Sequence, residues 1–401
     1  MSIDLFVNNN KKRVLLRGPF LTQSGYGVHA RQIAQWAFSR NDFDVEVQTL
    51  PWGDTPWIID HKFSNGLVGK IMEKTVDPTG RQYDMSVQLQ LPNEWDNNLA
   101  KKNIGITAAV ETDKCNPEWV HASNLMDCVV FPSKHALNSI KNSGTISSKT
   151  FVIPESFSND FHSNKITNTK IDDIKWNTNF NFLIVGQITG NNPENDRKNI
   201  FYTIKWFCET FKDDPDVGLV IKTNLGRNTT IDRKITQNML TALLKEVRKD
   251  NKFPAIHLLH GHMSDQEMAS LYRHPQIKCL LSLSRGEGFG LPILEAAVCE
   301  LPVIATGWSG YTDFLKSGKY VEVGYSLSKI DPSRVDNVIF VPQSKWAQPS
   351  EEDAKKKMLK FRQQSTIPQE WAKNLGEILV KTHNSNEINK QYDTVVEEIY
   401  K

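Results

Sequence analysis

The sequence predicts an α/β protein built from two doubly wound units that face each other across a cleft. Three observations carry that expectation. Short apolar runs alternate with helical patterns along most of the chain, as parallel sheets covered by helices require. The chain has 401 residues, enough for two sizeable cores. A polar, Asn-rich stretch at 156–179 separates one strand–helix series from the next and is the candidate linker.

Taken in order, "RVLLRG" (13–18) is a buried strand feeding a loop. "SGYGVHARQIAQWAFSR" puts Val28, Ile33, Trp36 and Ala37 on one helical face, and "DVEVQTL" alternates as a strand does. "YDMSVQLQL" (83–91) and "KNIGITAAVE" (102–111) are further strands. In "NPEWVHASNLM", Asn116 caps a helix with Pro117 at its first position. "DCVVFPS" is a strand, "SKHALNSIKNSG" a helix closed by Gly144, and "TFVIPES" a strand. The second series begins at "FNFLIVGQ" (180–187). It continues through a helix at 199–212, "VGLVIKT", a long helix over 232–250, "AIHLLHG", the helix "SDQEMASLYRH" and "IKCLLSLS". A glycine-rich loop, a short helix, the strand "LPVIATG" and a last helix, "NKQYDTVVEEIY", complete it. Both halves read as Rossmann-like.

In such sheets ligands bind beyond the carboxyl ends of the strands. The loop "SRGEGFGLPILEAAVCE" stands at one of those ends. Gly286, Gly288 and Gly290 allow positive φ or close approach to a ligand, and Pro292 suits the first turn of a helix. The amides of Phe289, Gly290 and Leu291 then mark a helix start, which is an anion site, for phosphate above all. Glu287 and Glu295 flank that start. Carboxylates do not bind phosphate, but they accept hydrogen bonds from hydroxyls. A ligand with phosphate in the middle and hydroxyls at both ends fits, and a nucleotide sugar answers that description.

"EGFGLPILE", from Glu287 to Glu295, resembles the E-x7-E signature of retaining GT-B glycosyltransferases, in particular the large glycosyltransferase family 4. The order of elements is similar over nearly the whole chain. The resemblance implies the GT-B fold, with an acceptor-side domain over 1–165 and a nucleotide-sugar domain over 176–377. It also implies a final helix, about 378–401, that crosses back onto the first domain. The implied activity is sugar transfer of the hexosyltransferase type, with retention. Glu287 would hold the donor sugar, Glu295 the ribose, and Lys198 of "NDRKNI", matching the family's "KN", the diphosphate. The family often carries an Arg directly after the strand's final glycine. Here Gln187 follows Gly186, and Arg197 or Lys222 can supply the second positive charge. A solvated surface charge is the competing reading of Arg197. Gly25 and Gly27 of "TQSGYG" match a loop that approaches phosphate or sugar, or else make a plain tight turn. Glu111 stands where many members have a His facing sugar or acceptor, with helix capping as its alternative. His262 and Met263 follow a strand after which the family contacts the base through backbone groups. A UDP- or GDP-sugar is the implied co-substrate, with no metal and no further cofactor.

The remaining features bound the function. Hydrophobic residues make up 39% and charged residues 23%, ordinary for a globular protein, and a net charge of +2 does not argue for nucleic acid or an anionic membrane. Five scattered cysteines without a CxxC read as reduced, buried thiols. With no membrane-length apolar run and no signal-peptide core, a cytoplasmic protein is expected. His260 and His262 lack companions at ligand spacing, and Asp214-Pro215-Asp216, formally a DxD, reads as turn chemistry. The acceptor hydroxyl and the oligomeric state stay open. A glycan or lipid-linked glycan is the first reading, and a protein or a modified nucleic-acid base the second. "NNNKKR" (8–13) is only a faint basic face for a membrane. A nucleotide-sugar-binding relative without transfer is the rival from another class.

Overall fold

The computed structural model of the chain describes residues 11–162, 169–188, 190, 192–248 and 253–401. Its frame is a pair of six-stranded parallel sheets. The first holds β1 (Lys12–Gly18), β2 (Phe43–Thr49), β3 (Met85–Leu89), β4 (Lys102–Ile106), β5 (Cys128–Phe131) and β6 (Lys149–Val152), in spatial order β2-β1-β3-β4-β5-β6. Its helices are α1 (Gly25–Ser39), α2 (Leu67–Glu73), α3 (Pro117–Asn124) and α4 (Lys134–Lys141). The second sheet holds β7 (Phe180–Val185), β8 (Val217–Thr223), β9 (Ala255–His260), β10 (Ile277–Ser282), β11 (Val303–Thr306) and β12 (Val321–Val323), in order β12-β11-β10-β7-β8-β9. With it run α5 (Ile200–Thr210), α6 (Thr230–Arg248), α7 (Asp265–Arg273), α8 (Leu291–Val298) and α9 (Thr312–Leu315). Strand order reverses between β1 and β3 and between β7 and β10. The loops after those strands therefore open into a crevice, which is where such sheets take ligands.

The sequence explains most of this locally. Val14, Leu15 and Leu16 are fully buried, because a central parallel strand is covered on both faces and reads as a continuous apolar run. Asn116 Oδ1 accepts from the Glu118 amide and starts α3 with Pro117 at its first position. Ile33, Trp36 and Ala37 turn into the first core, whereas Val28 packs against the second. Helix α4 ends at Lys141 with Asn142 in the right-handed region, so Gly144 does not close it. Helix α6 begins at Thr230, two residues before its expected start, and the last two residues of the expected range lie outside the described residues.

Three regions depart from the expectation. The described parts of 156–179 are not a loose linker: Phe157, Phe161, Ile171 and Trp176 are buried in the second core. Single apolar residues set among polar ones gave no periodic signal there. After β12 the chain forms an antiparallel pair, β13 (Tyr325–Lys329) and β14 (Lys345–Pro349), where no element was expected. Ile330, Phe340 and Trp346 of this insert share one core with Val110, Trp119, Phe131 and Ile140 of the first unit. The backbone joins them too, since Asp113 N donates to Lys345 O at 2.8 Å and Lys345 N to Asp113 Oδ1 at 2.6 Å. Finally, α10 (Glu351–Gln363) and α11 (Thr366–Thr382), where no helix was expected, precede α12 (Ser385–Tyr400), which stands where a final helix was expected over about 378–401. Helix α11 packs in the second core through Leu375 and Leu379. Helix α12 inserts Ile388, Tyr392, Val395, Val396 and Ile399 into the first core. Trp36 Nε1 fixes it by donating to Asp393 Oδ1 at 2.9 Å.

Residues 8–10 of the basic stretch lie outside the described residues, and Lys12 and Arg13 belong to β1. All five cysteines are buried and unpaired. Among the described residues no helix is long and apolar enough to cross a membrane.

Candidate active site

The glycine-rich loop runs from β10 into α8 and lies directly on the first unit. A Cβ added at Gly286 would stand 2.0 Å from Glu111 O, and one at Gly288 would stand 2.8 Å from Ala108 Cβ. Gly286 therefore permits contact between the units, and Gly288 does so while also lining the cleft. Gly290 differs. Its φ is +103°, which favours glycine, and it caps α8. The free amide end of the helix at Leu291 follows it, with Pro292 in the first turn.

Glu287 is the hub of the loop. Lys198 Nζ donates to its Oε1 at 2.5 Å, Arg197 Nη1 to its Oε2 at 3.2 Å, and Ser284 Oγ to its Oε1 at 3.0 Å. Ser309 Oγ bridges the Glu287 amide and carbonyl, and Gly310 N donates to the same carbonyl at 2.9 Å. Burial alone would raise the Glu287 pKa, yet Lys198 and Arg197 together bring it down to about 2. For Lys198 burial outweighs the carboxylate and lowers its pKa. Burial also pulls Arg197 down, but Glu111 and Glu287 more than reverse that.

Arg197 is 12% exposed, so it is not a solvated surface charge. Its Nη2 pairs with Glu111 Oε1 at 3.3 Å, across the space between the two units. Glu111 thus binds a cation and does not cap α3, a job done by Asn116. Both cations reach the site because Asp196 turns the chain. It accepts from the Ile200 amide at 2.6 Å, at the start of α5, and from the Lys198 amide at 3.2 Å. At the end of β8, Lys222 Nζ donates to Gly261 O at 2.7 Å and to Asn224 Oδ1 at 3.0 Å. Burial lowers its pKa to about 8.

These groups line one cleft of about 540 Å³ between the units. On its wall stand Glu111, Arg197, Lys198, Lys222 and Glu287, then Phe289, Gly290 and Leu291 at the helix start, with Gly25 and Gln187. Four expected residues are not on that wall. Gly27 sits where a Cβ would be 2.2 Å from Thr22 O, so its bareness serves the turn into α1. Met263 packs against the second core, and the exposed His262 lies 6.1 Å from the Phe63 ring, centre to centre. Glu295 lies behind the helix start, where Tyr272 OH donates to its Oε2 at 3.1 Å. Burial, with Asp265 adding, raises its pKa to about 8.

Several residues at the site escaped the sequence reading. Asp196 holds backbone and carries no motif of its own. Tyr26 is stacked on Trp52 at 3.9 Å and bonded to Thr107, on the first unit's side of the cleft. Asp214 and Asp216 are both bound by Arg362, at 3.1 and 3.3 Å, so the DxD is a pinned turn. Among the described residues no three His, Cys, Asp or Glu side chains gather as metal ligands.

Comparison with known proteins adds an independent view. Residues 195–331, which hold both cations and both glutamates, match the family described as "Glycosyl transferases group 1". A probable sucrose-phosphate synthase of Thermosipho melanesiensis is 32% identical over 128 residues. That stretch is 31% of this chain and about a quarter, 27%, of that protein's length. Among solved structures, Anabaena HepE in complex with UDP and glucose is similar with a TM-score of 0.60 and 14% identity, over 96% of this chain and 100% of that one. The sucrose-phosphate synthase of Thermosynechococcus elongatus is similar with a TM-score of 0.62 and 12% identity, over 97% and 99%. The likeness extends over both units and establishes the fold: two Rossmann-like domains in the GT-B arrangement, with a cleft between them.

Proposed function

We propose that the chain is a retaining glycosyltransferase that moves a sugar from a nucleoside-diphosphate sugar to a hydroxyl of an acceptor, a glycan or lipid-linked glycan first. The observation that carries this reading is one meeting place. The amino terminus of α8, Lys198, Arg197 and Glu287 converge in a single cleft beyond the strand ends. The group 1 glycosyl transferase match over those residues supports it, as does the fold shared with a protein seen with UDP and glucose.

In this scheme the diphosphate takes Lys198 and the helix start at 289–291 as partners. Glu287, released from Lys198, then accepts from the donor sugar's hydroxyls. Glu295 takes the ribose. The acceptor enters past Gly25 and Glu111. Its oxygen bonds to the anomeric carbon on the face from which the phosphate oxygen leaves, and the acceptor proton passes to that departing oxygen. Lys198 offsets the charge that develops there. Closure of the two units excludes water. The scheme calls on no metal.

A thermal-shift series with UDP, GDP, ADP and TDP and their common sugars tests the donor, since a ligand bound to the folded state raises the midpoint. A rise with one nucleotide is expected, and no rise with any would remove the basis of the reading. Lys198→Ala and Glu295→Ala should each lower turnover by about 100-fold or more while the chain still melts cooperatively. Near-normal turnover in both would refute the site assignment. One observation favours a second reading, a binder without transfer: Arg197 and Lys198 are already paired with carboxylates. Nucleotide-sugar binding with neither transfer nor hydrolysis would favour it.

A further inference from the structure

One buried carboxyl on the cleft wall has no part in the scheme above. Glu155 lies just beyond β6 and is 6% exposed. Among the described residues its Oε2 has no hydrogen-bond partner. Its Oε1 is 3.9 Å from His29 Nδ1, too far for a hydrogen bond. The His29 ring is itself held, with Nε2 3.2 Å from Tyr392 OH on α12. A buried polar atom without a partner is costly and uncommon. One that lines an open cleft finds its partner in what fills the cleft.

The surroundings say what that partner is. Lys222 and Asn224, at the end of β8, and Leu291 and Pro292, at the start of α8, share the wall with Glu155. Glu295, one turn into α8, is close enough for its charge to act on Glu155, and burial with that charge raises the Glu155 pKa to about 8. Glu155 from the first unit, on the cleft wall, and Glu295 from the second, behind the helix start, therefore stand near each other. Two buried carboxyls, largely uncharged near neutral pH, suit an uncharged group offering two hydroxyls. In a nucleoside diphosphate that group is the ribose diol.

We propose that Glu155 binds the donor nucleotide, holding one hydroxyl of the ribose diol while Glu295 holds the other. The inference rests on the nucleotide-sugar reading above and adds a contact that comes from the first unit. Tyr392 of α12 holds the His29 ring beside this carboxyl. Nucleotide binding then draws the two units together, because its ribose is gripped from both sides.

The test is affinity of the full chain for whichever of UDP, GDP and ADP it binds, and for the 2′-deoxy and 3′-deoxy forms of that nucleotide. The unmutated chain should bind each deoxy form about tenfold more weakly than the ribonucleotide. Glu155→Ala should erase the penalty at one position and keep it at the other, and Glu295→Ala should do the reverse. Should Glu155→Ala lose cooperative melting, Glu155→Met, similar in volume and without an oxygen, carries the same comparison. A Glu155 variant that binds the ribonucleotide and keeps both penalties at full size would overturn the proposal and leave the nucleotide reading intact. If the unmutated chain binds none of the three nucleotides, the nucleotide reading falls and takes this inference with it.

Discussion

Glu287 and Glu295 stand one loop and one helical turn apart, and their surroundings drive them in opposite directions. Glu287 meets two cations and stays ionised down to about pH 2. Glu295 is buried with Asp265 nearby, and its pKa rises to about 8 although the Tyr272 hydroxyl pulls it down. Glu287→Gln therefore leaves Lys198 and Arg197 short of a buried partner, and should cost about 3–5 kcal/mol in denaturant titration. Glu155 gives a pH prediction. Its folded pKa of about 8 lies above the ordinary 4.5, so its contribution is fully present below pH 4.5 and is lost as pH rises through 8. His29, pushed down to about 3 by burial, acts the other way, its contribution being lost as pH falls from 6.5. The informative quantity is thus the difference between the unmutated chain and Glu155→Gln. The melting-point gap should shift in favour of the variant between pH 5 and 8, and a constant gap would contradict this. The spacing of the two glutamates was plain in the sequence. Their opposite ionisation was not, because it is set by burial and by Asp265, Lys198 and Arg197, all distant along the chain.

At the scale of elements, the loop from β10 to α8 and the β13–β14 insert make different demands. Gly290 sits at φ +103°, with Tyr311 Cβ 3.1 Å from any added Cβ. Gly290→Ala should lower stability by about 1–2 kcal/mol from backbone strain alone. Trp346, 2% exposed, fills the core shared by the insert and the first unit. Trp346→Ala should cost about 3–5 kcal/mol, measurable by chemical denaturation. Strands such as β1 and β8 were legible because parallel strands covered on both faces carry a continuous apolar run, residues 14–16 in β1 and 219–221 in β8. The insert was not, since Tyr325 and Leu327 of β13 are exposed and the pair buries its apolar residues against another unit. Periodicity reports local faces and cannot report which remote surface covers them.

For the whole molecule, the alternation of strands and helices was enough to read two parallel sheets, and the linker was where that reading failed. The polar composition of 156–179 hid four residues that the second core encloses. The first core, in turn, needs α12. Removing residues 385–401 would expose the face of Trp36 that now meets Tyr392 and strip five apolar side chains from the first core. The truncated chain should therefore lose cooperative melting or aggregate, and a variant that melts like the full chain would show that α12 is dispensable.

That dependence has a temporal side. During synthesis the strands of the first sheet have all been made once residue 152 is added, but the helix that completes their core starts at residue 385. At about 5–20 residues per second the interval is roughly 10–50 s. For that time the nascent first unit carries an uncovered apolar groove while the second unit is still being made. Slowing the ribosome over the second half should therefore lower the soluble yield.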